Sequence, residues 1–265
     1  MTGRPATPPG LDSSATAETL ARVFAFVHTN LARTADELRP IEAGCVVRSP
    51  SLPAVWSLNQ VRVALPLGFE SLVELADQQL AGCRYLQIVV ENQDAGPALE
   101  QEFRAASWKT ERELLMILSA APDRDVDTNI VTDGGEDEVA AVMGRWYGED
   151  ESDRDALGQL VEFSRRETRA CGDRLLGVRS PNGHLVAISK LRGDGHTAQV
   201  EDVYTAPEAR GRGFGRAVVT RAVELARDAG HEVIFITADD DAWPKELYAR
   251  VGFRPLGRLW QFHRG

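Results

Sequence analysis

Cysteine and histidine are scarce in this 265-residue chain: Cys45, Cys83 and Cys171, and five histidines. Scattered so thinly, they supply neither a disulfide framework nor a set of metal ligands, which predicts a metal-free protein of a reducing compartment, the cytoplasm. No apolar run is long enough to cross a membrane. The opening residues MTGRPATPPGLDSSATAE are polar and proline-rich, which predicts a mobile tail over residues 1–18 and no signal peptide. Positive charge is also in short supply: 30 Lys plus Arg against 40 Asp plus Glu leave a net charge of −10, which excludes a general affinity for nucleic acid.

What the chain does have is a glycine-arginine loop, RGRGFG at residues 210–215, between a strand-like run, AQVEDVYTA, and a helix-like run, RAVVTRAVELARDAG. Pro207 cannot donate to a ladder and ends the strand. Gly211, Gly213 and Gly215 permit positive φ and remove the Cβ atoms that would hold an anion away from the main chain. Arg210, Arg212 and Arg216 add donors suited to phosphate oxygens, and the helix N-terminus favours the same sign of ligand. A diphosphate is the expected occupant. A Walker loop needs GK[ST], whereas Gly215 is followed by Arg216 and Ala217. The dinucleotide fingerprint GxGxxG fails because Arg216 or Val218 stands at its third glycine. An RNA-binding arginine-glycine segment would be repetitive, and this one is single.

Past the loop, Val218, Val219, Ala222, Val223 and Ala226 form one helical stripe, Gly230 stops it, and VIFIT at residues 233–237 reads as a strand buried on both faces. A short helix beginning near Pro244 and a final strand follow. Here the chain resembles the GNAT superfamily of acyl-CoA-dependent N-acetyltransferases. Arg210, Gly213 and Gly215 match its RxxGxG loop, EDVYTAP the strand before it, and LYARVGF the segment after it. The resemblance implies an α/β (α+β) fold, a mixed but mostly antiparallel sheet flanked by helices. It implies acetyl-CoA as acyl donor, with Val203, Tyr204 and Thr205 along the pantetheine arm and Arg210, Gly211, Arg212, Gly213, Phe214, Gly215 and Arg216 at the diphosphate. Many relatives carry an asparagine before the short helix, where this chain reads ADDDAWP.

An amine with a pKa near 10.4 must lose a proton before it can attack a thioester, so such a site needs a base, an oxyanion donor and an acid for the departing thiolate. The resemblance places these roles on Glu201, with Asp202 as substitute, on the N–H of Val203, and on Tyr248. The expected activity is transfer of acetyl from acetyl-CoA to a primary amine by direct attack in a ternary complex. The competing reading is a non-enzymatic acyl-CoA-binding sensor or regulatory protein. The acidic stretches at residues 148–155 and 239–241 favour a cationic amine as acceptor.

The first half reads as a diverged copy of the second. QEFRAASWKTERELLMI at residues 101–117 aligns with ELYARVGFRPLGRLWQF at 246–262, so that Phe103 stands where Tyr248 does. That copy has no arginine cluster at its loop and lacks the hydroxyl, which predicts a degenerate, coenzyme-free domain over residues 19–121. The linker-like SAAPDRDVD, residues 119–127, spans its boundary with the catalytic domain over residues 122–265. Monomer and homodimer are equally compatible with the sequence.

Overall fold

The computed structural model describes residues 13–265. Helix α1, Ser13–Thr34, opens it, so residues 13–18, expected as tail, form the first turns of a helix; residues 1–12 lie outside the described residues. Good helix formers and an apolar spacing that carries Val23 and Phe26 into the core outweigh the polar composition of this stretch. Strands β1 (Glu37–Ile41), β2 (Gly44–Arg48) and β3 (Gln60–Val63) lead to α2 (Phe69–Gln79), β4 (Leu86–Val90), α3 (Gly96–Ala105) and β5 (Lys109–Leu118). The second half adds β6 (Val131–Asp133), α4 (Glu136–Tyr147), α5 (Arg154–Cys171), β7 (Arg174–Arg179), β8 (Leu185–Gly193) and β9 (Thr197–Thr205). Helix α6 (Phe214–Asp228), β10 (Val233–Asp239), α7 (Pro244–Val251) and β11 (Phe253–Arg264) complete it.

All the strands form one sheet of eleven, in the order β1-β2-β3-β4-β11-β5-β10-β9-β8-β7-β6. Only β3–β4 and β9–β10 run parallel, so the sheet is mixed and mostly antiparallel, as expected. The order also reveals an exchange. β11 lies between β4 and β5, and β5 lies between β11 and β10, so each half's last strand pairs with the other half's preceding one. The α3–β5 and α7–β11 pairs that align in sequence therefore occupy equivalent positions about the seam. The sheet runs through the boundary expected at residue 121 without a break.

Both faces of the sheet are covered. The stripe of α6 packs on one face with Val200, Ile234 and Ile236. On the other, α1 sets Val23 and Phe26 against Val89, Leu115, Phe235 and Leu259 of the four central strands, with Phe26 edge-on to Phe235 at 5.7 Å. Residues 119–127, linker-like in composition, are tied down instead. The N–H groups of Ser119 and Ala120 donate to the carbonyl of Gly252 and that of Asp123 to Arg250. Gly252, at φ +113, lies so close to Ala120 that a Cβ there would stand 2.3 Å from its carbonyl oxygen.

Candidate active site

The site begins with a fault in strand β9. Its register against β8 jumps between Lys190↔Glu201 and Ile188↔Tyr204, and Asp202 takes φ +50. This bulge bends the strand. Its parallel pairing with β10 ends at Val200↔Ile236, although both strands continue, so they part beyond Glu201 and Thr237. Asp202 itself is held by the buried Lys190 ammonium at 2.7 Å, which makes it a poor substitute base.

After β9, Gly211 and Gly213 take φ +77 and +81, and Gly213 caps α6. A Cβ at either would meet nothing within 4 Å, so the need for glycine there is conformational. The first intrahelical bond runs from the N–H of Ala217 to the carbonyl of Gly213, which leaves the N–H groups of Phe214, Gly215 and Arg216 for an outside acceptor. They open on a cavity of about 490 Å³ lined by Val203, Tyr204, Thr205, Arg210, the loop glycines and Tyr248. Trp146, Trp243, Arg124 and Arg250, which sequence reasoning did not select, line it too. Trp243 is 67% exposed, a large apolar surface at the cavity wall.

The three arginines differ. Arg210 donates from Nε to the carbonyl of Thr205 and lies 3.6 Å from Glu149, which also accepts from the hydroxyl of Tyr204 at 2.6 Å. Burial and that hydrogen bond push the Tyr204 phenol up to about 12. Arg212 is exposed and outside the cavity wall. Arg216 is 4% exposed; its Nη2 donates to Asp123 and to the carbonyl of Arg250, while its Nε has no partner. A buried guanidinium with a free donor beside bare helix N–H groups fits an anion. Gly213→Asp tests this assignment. Aspartate tolerates positive φ better than most residues, so the substitution mainly sets a negative charge against the anion. Calorimetry should show acetyl-CoA affinity reduced at least about 100-fold, the scale of losing a charge-assisted hydrogen bond.

The two catalytic candidates stand apart. Tyr248 is buried on the wall of the cavity just described, its ring edge-on to Phe253 at 6.5 Å, and burial followed by the nearby Glu201 raises its phenol pKa, so the hydroxyl keeps its proton. Glu201 lines a second cavity, about 230 Å³, beneath α1 on the other face of the sheet. Burial pushes its carboxyl up to about 8, with Asp202 and Glu167 adding to the rise against the pull of Arg192. Its walls include Glu113 of β5, Arg62 of β3 and Arg192 of β8, residues that no local motif marks. Two residues of the acidic stretches are engaged within the fold. Asp153 caps α5 by accepting from the N–H groups of Asp155 and Ala156, and Asp240 accepts from Arg258 at 2.7 Å. Among the described residues no cluster of His, Cys, Asp or Glu is placed to hold a metal ion, and no helix is long and apolar enough to cross a membrane.

Residues 143–253 match the acetyltransferase (GNAT) family. A probable glucosamine 6-phosphate N-acetyltransferase 2 of Oryza sativa subsp. japonica is 41% identical over 67 residues, 25% of this chain and 39% of that protein. A mycothiol acetyltransferase of Clavibacter sepedonicus is 30% identical over 91 residues, 34% and 30% of the two chains. The matches thus span well under half of these curated relatives. A GCN5-related N-acetyltransferase from Kribbella flavida superposes with TM-score 0.61 at 20% identity over 92% of this chain and 95% of its own. A tandem GNAT protein from the clavulanic acid biosynthesis pathway does so with TM-score 0.54 at 15% identity over 94% and 95%. At those identities the likeness concerns fold alone, and it extends over both halves. From the loop, the bulged strand and the family match together, the chain carries a domain of the acetyltransferase (GNAT) family over residues 143–253.

Proposed function

We propose that the protein is an N-acetyltransferase that moves acetyl from acetyl-CoA to a primary amine by direct attack in a ternary complex. One observation carries the reading: Glu201 and Val203, two residues apart on the bulged strand, wall two different cavities. Acetyl-CoA lies in the larger one, its diphosphate on the loop N–H groups and the Nε of Arg216, its thioester directed at the gap between β9 and β10. The amine approaches from the cavity of Glu201.

Glu201 in its carboxylate form takes a proton from the ammonium, and the freed nitrogen attacks the thioester carbon. The C–N bond forms, the oxyanion is held by the Val203 N–H, and the C–S bond breaks as Tyr248 protonates the sulfur. The ammonium surrenders two protons in all; one leaves through Glu201 to solvent and the other replaces the one Tyr248 gave up. The three cysteines are unpaired, which agrees with a cytoplasmic setting. Thiol release from acetyl-CoA across an amine panel tests the reading, since a sensor would bind coenzyme without releasing thiol. Tyr248→Phe keeps the ring against Phe253 and should leave acetyl-CoA affinity within about twofold while turnover drops roughly 100-fold. Unchanged turnover would remove Tyr248 from the mechanism.

A further inference from the structure

The cavity of Glu201 belongs to both halves of the chain, and its polar groups are unevenly satisfied. Its arginines have partners of their own: Arg62 with Glu91 at 2.7 Å, Arg192 with Glu167 at 2.8 Å and Asp173 at 3.0 Å. What remains includes hydrogen-bond acceptors that the first half of the chain supplies. Gln60 donates from Nε2 to the carbonyl of Ser57, and Gln87 from Nε2 to Gln261 at 3.0 Å. That leaves the Oε1 atoms of Gln60 and Gln87, residues 2% and 4% exposed, without a partner. Glu113 and Glu201 add two carboxyl groups, both shifted toward the protonated form by burial first, with the charge of Glu113 adding to the rise at Glu201; each accepts one hydrogen bond within the fold, from Gln261 and from Gln199. Donors are left over as well: Nδ2 of Asn30 in α1 and Nε of Arg192 have no hydrogen-bond partner, and Nη2 of Arg62 has only its ion pair with Glu91. Buried polar atoms are rarely left unpaired in native proteins, and here they converge on one space. The complement of such a wall is a small polar ligand with N–H donors for the glutamine oxygens, an ammonium for the two carboxyl groups and an acceptor atom for the donors. At about 230 Å³ the space is smaller than those that take drug-sized molecules.

We infer that the first half of the chain supplies the acceptor-recognition wall, through Gln60, Gln87 and Glu113, and that the acceptor is a free, compact cationic amine such as a short diamine or amino alcohol. This rests on the acetyl-transfer reading above and narrows it. The reacting nitrogen lies at Glu201, and the remaining N–H or O–H groups are held by the wall that the exchanged strand β5, together with β3 and β4 beyond β11, provides. A first half that no longer binds coenzyme would keep its place in the fold for this reason.

The test uses the full chain, with short diamines and amino alcohols set against amino acids and lysine-containing peptides, read by thiol release from acetyl-CoA and by calorimetric titration of the amine. Wild type should bind and acetylate the compact cations. Glu113→Gln, nearly isosteric, should raise KM for the amine roughly 10- to 100-fold while KM for acetyl-CoA stays within about twofold. Gln60→Leu should raise the amine KM several-fold and serves where the first variant fails to fold. Turnover confined to lysine peptides or anionic acceptors, no calorimetric binding of any compact cation, or an amine KM unmoved in both variants would overturn the inference. Absence of acetyl-CoA binding in wild type is a separate outcome, because it contradicts the loop assignment and the acetyl-transfer reading together.

Discussion

Glu201→Gln should reduce kcat by about 10²- to 10⁴-fold, the range expected when a general base is removed, with acetyl-CoA affinity nearly unchanged. The wild-type pH profile carries the more specific signature. Burial pushes the carboxyl up to about 8, with Arg192 pulling it down and Asp202, Glu167 and Glu113 pushing it further up. Only the carboxylate can accept the proton, so kcat/KM should climb as pH rises through about 8 and level off above it. The variant should lack that limb. Stability should show the opposite trend. Between the ordinary value of 4.5 and about 8 the folded wild type holds a proton that the unfolded chain has lost, so its stability falls as pH rises across that window. The glutamine does not titrate. The melting temperature of Glu201→Gln relative to wild type should therefore grow between pH 5 and 8. A flat difference with an intact limb would take the base role away from Glu201.

Residues 122–265 expressed alone should fail to fold cooperatively, although they contain the whole family match and every residue of the loop. The fragment lacks β5, which pairs with β10 from Phe235 to Asp239 and with β11 along most of its length, and it lacks α1. β11 would also lose β4, leaving its backbone unpaired on both sides. Val23, Phe26, Leu114, Leu115 and Met116 are all buried in the intact chain, and their removal forfeits on the order of 10 kcal/mol of apolar burial. That is comparable with the entire stability of a typical domain. Circular dichroism and a denaturant titration of the fragment should show no sharp transition, whereas adding residues 1–121 as a separate chain should restore one. A soluble, cooperatively melting fragment would show that the exchange of strands is dispensable.

The loop at residues 210–215 was legible because its chemistry is local: positive φ at Gly211 and Gly213, Pro207 before them and a helix N-terminus after them all lie within a few positions. The pairing of Phe103 with Tyr248 was legible through internal repetition, and the structure sets α3–β5 and α7–β11 at equivalent places about the seam. The partner of each strand was not. An alternating pattern says that β5 is a strand but nothing about whether it joins β4 or β10, so the meeting of Glu113 and Glu201 in one cavity had no signal in the chain. The bulge at Asp202 was hidden for a related reason, since its residue type is ordinary and the bend shows in the register jump against β8 and the φ of +50. In sequence Arg216 reads as a phosphate donor, yet its Nη2 is engaged by Asp123 and the Arg250 carbonyl, a contact that depends on where residues 119–127 return to the fold.

The first half bears on the coenzyme as well. Its loop between β3 and α2 has no arginine, and the cavity beside it is lined by Glu42 and Glu74, which repel a diphosphate. One coenzyme per chain is therefore expected. Calorimetric titration of acetyl-CoA into the purified full chain tests this most directly. Saturable binding at one site per chain, lost in Gly213→Asp, is the predicted result; no saturable heat with wild type, or equal affinity in the two proteins, would contradict it.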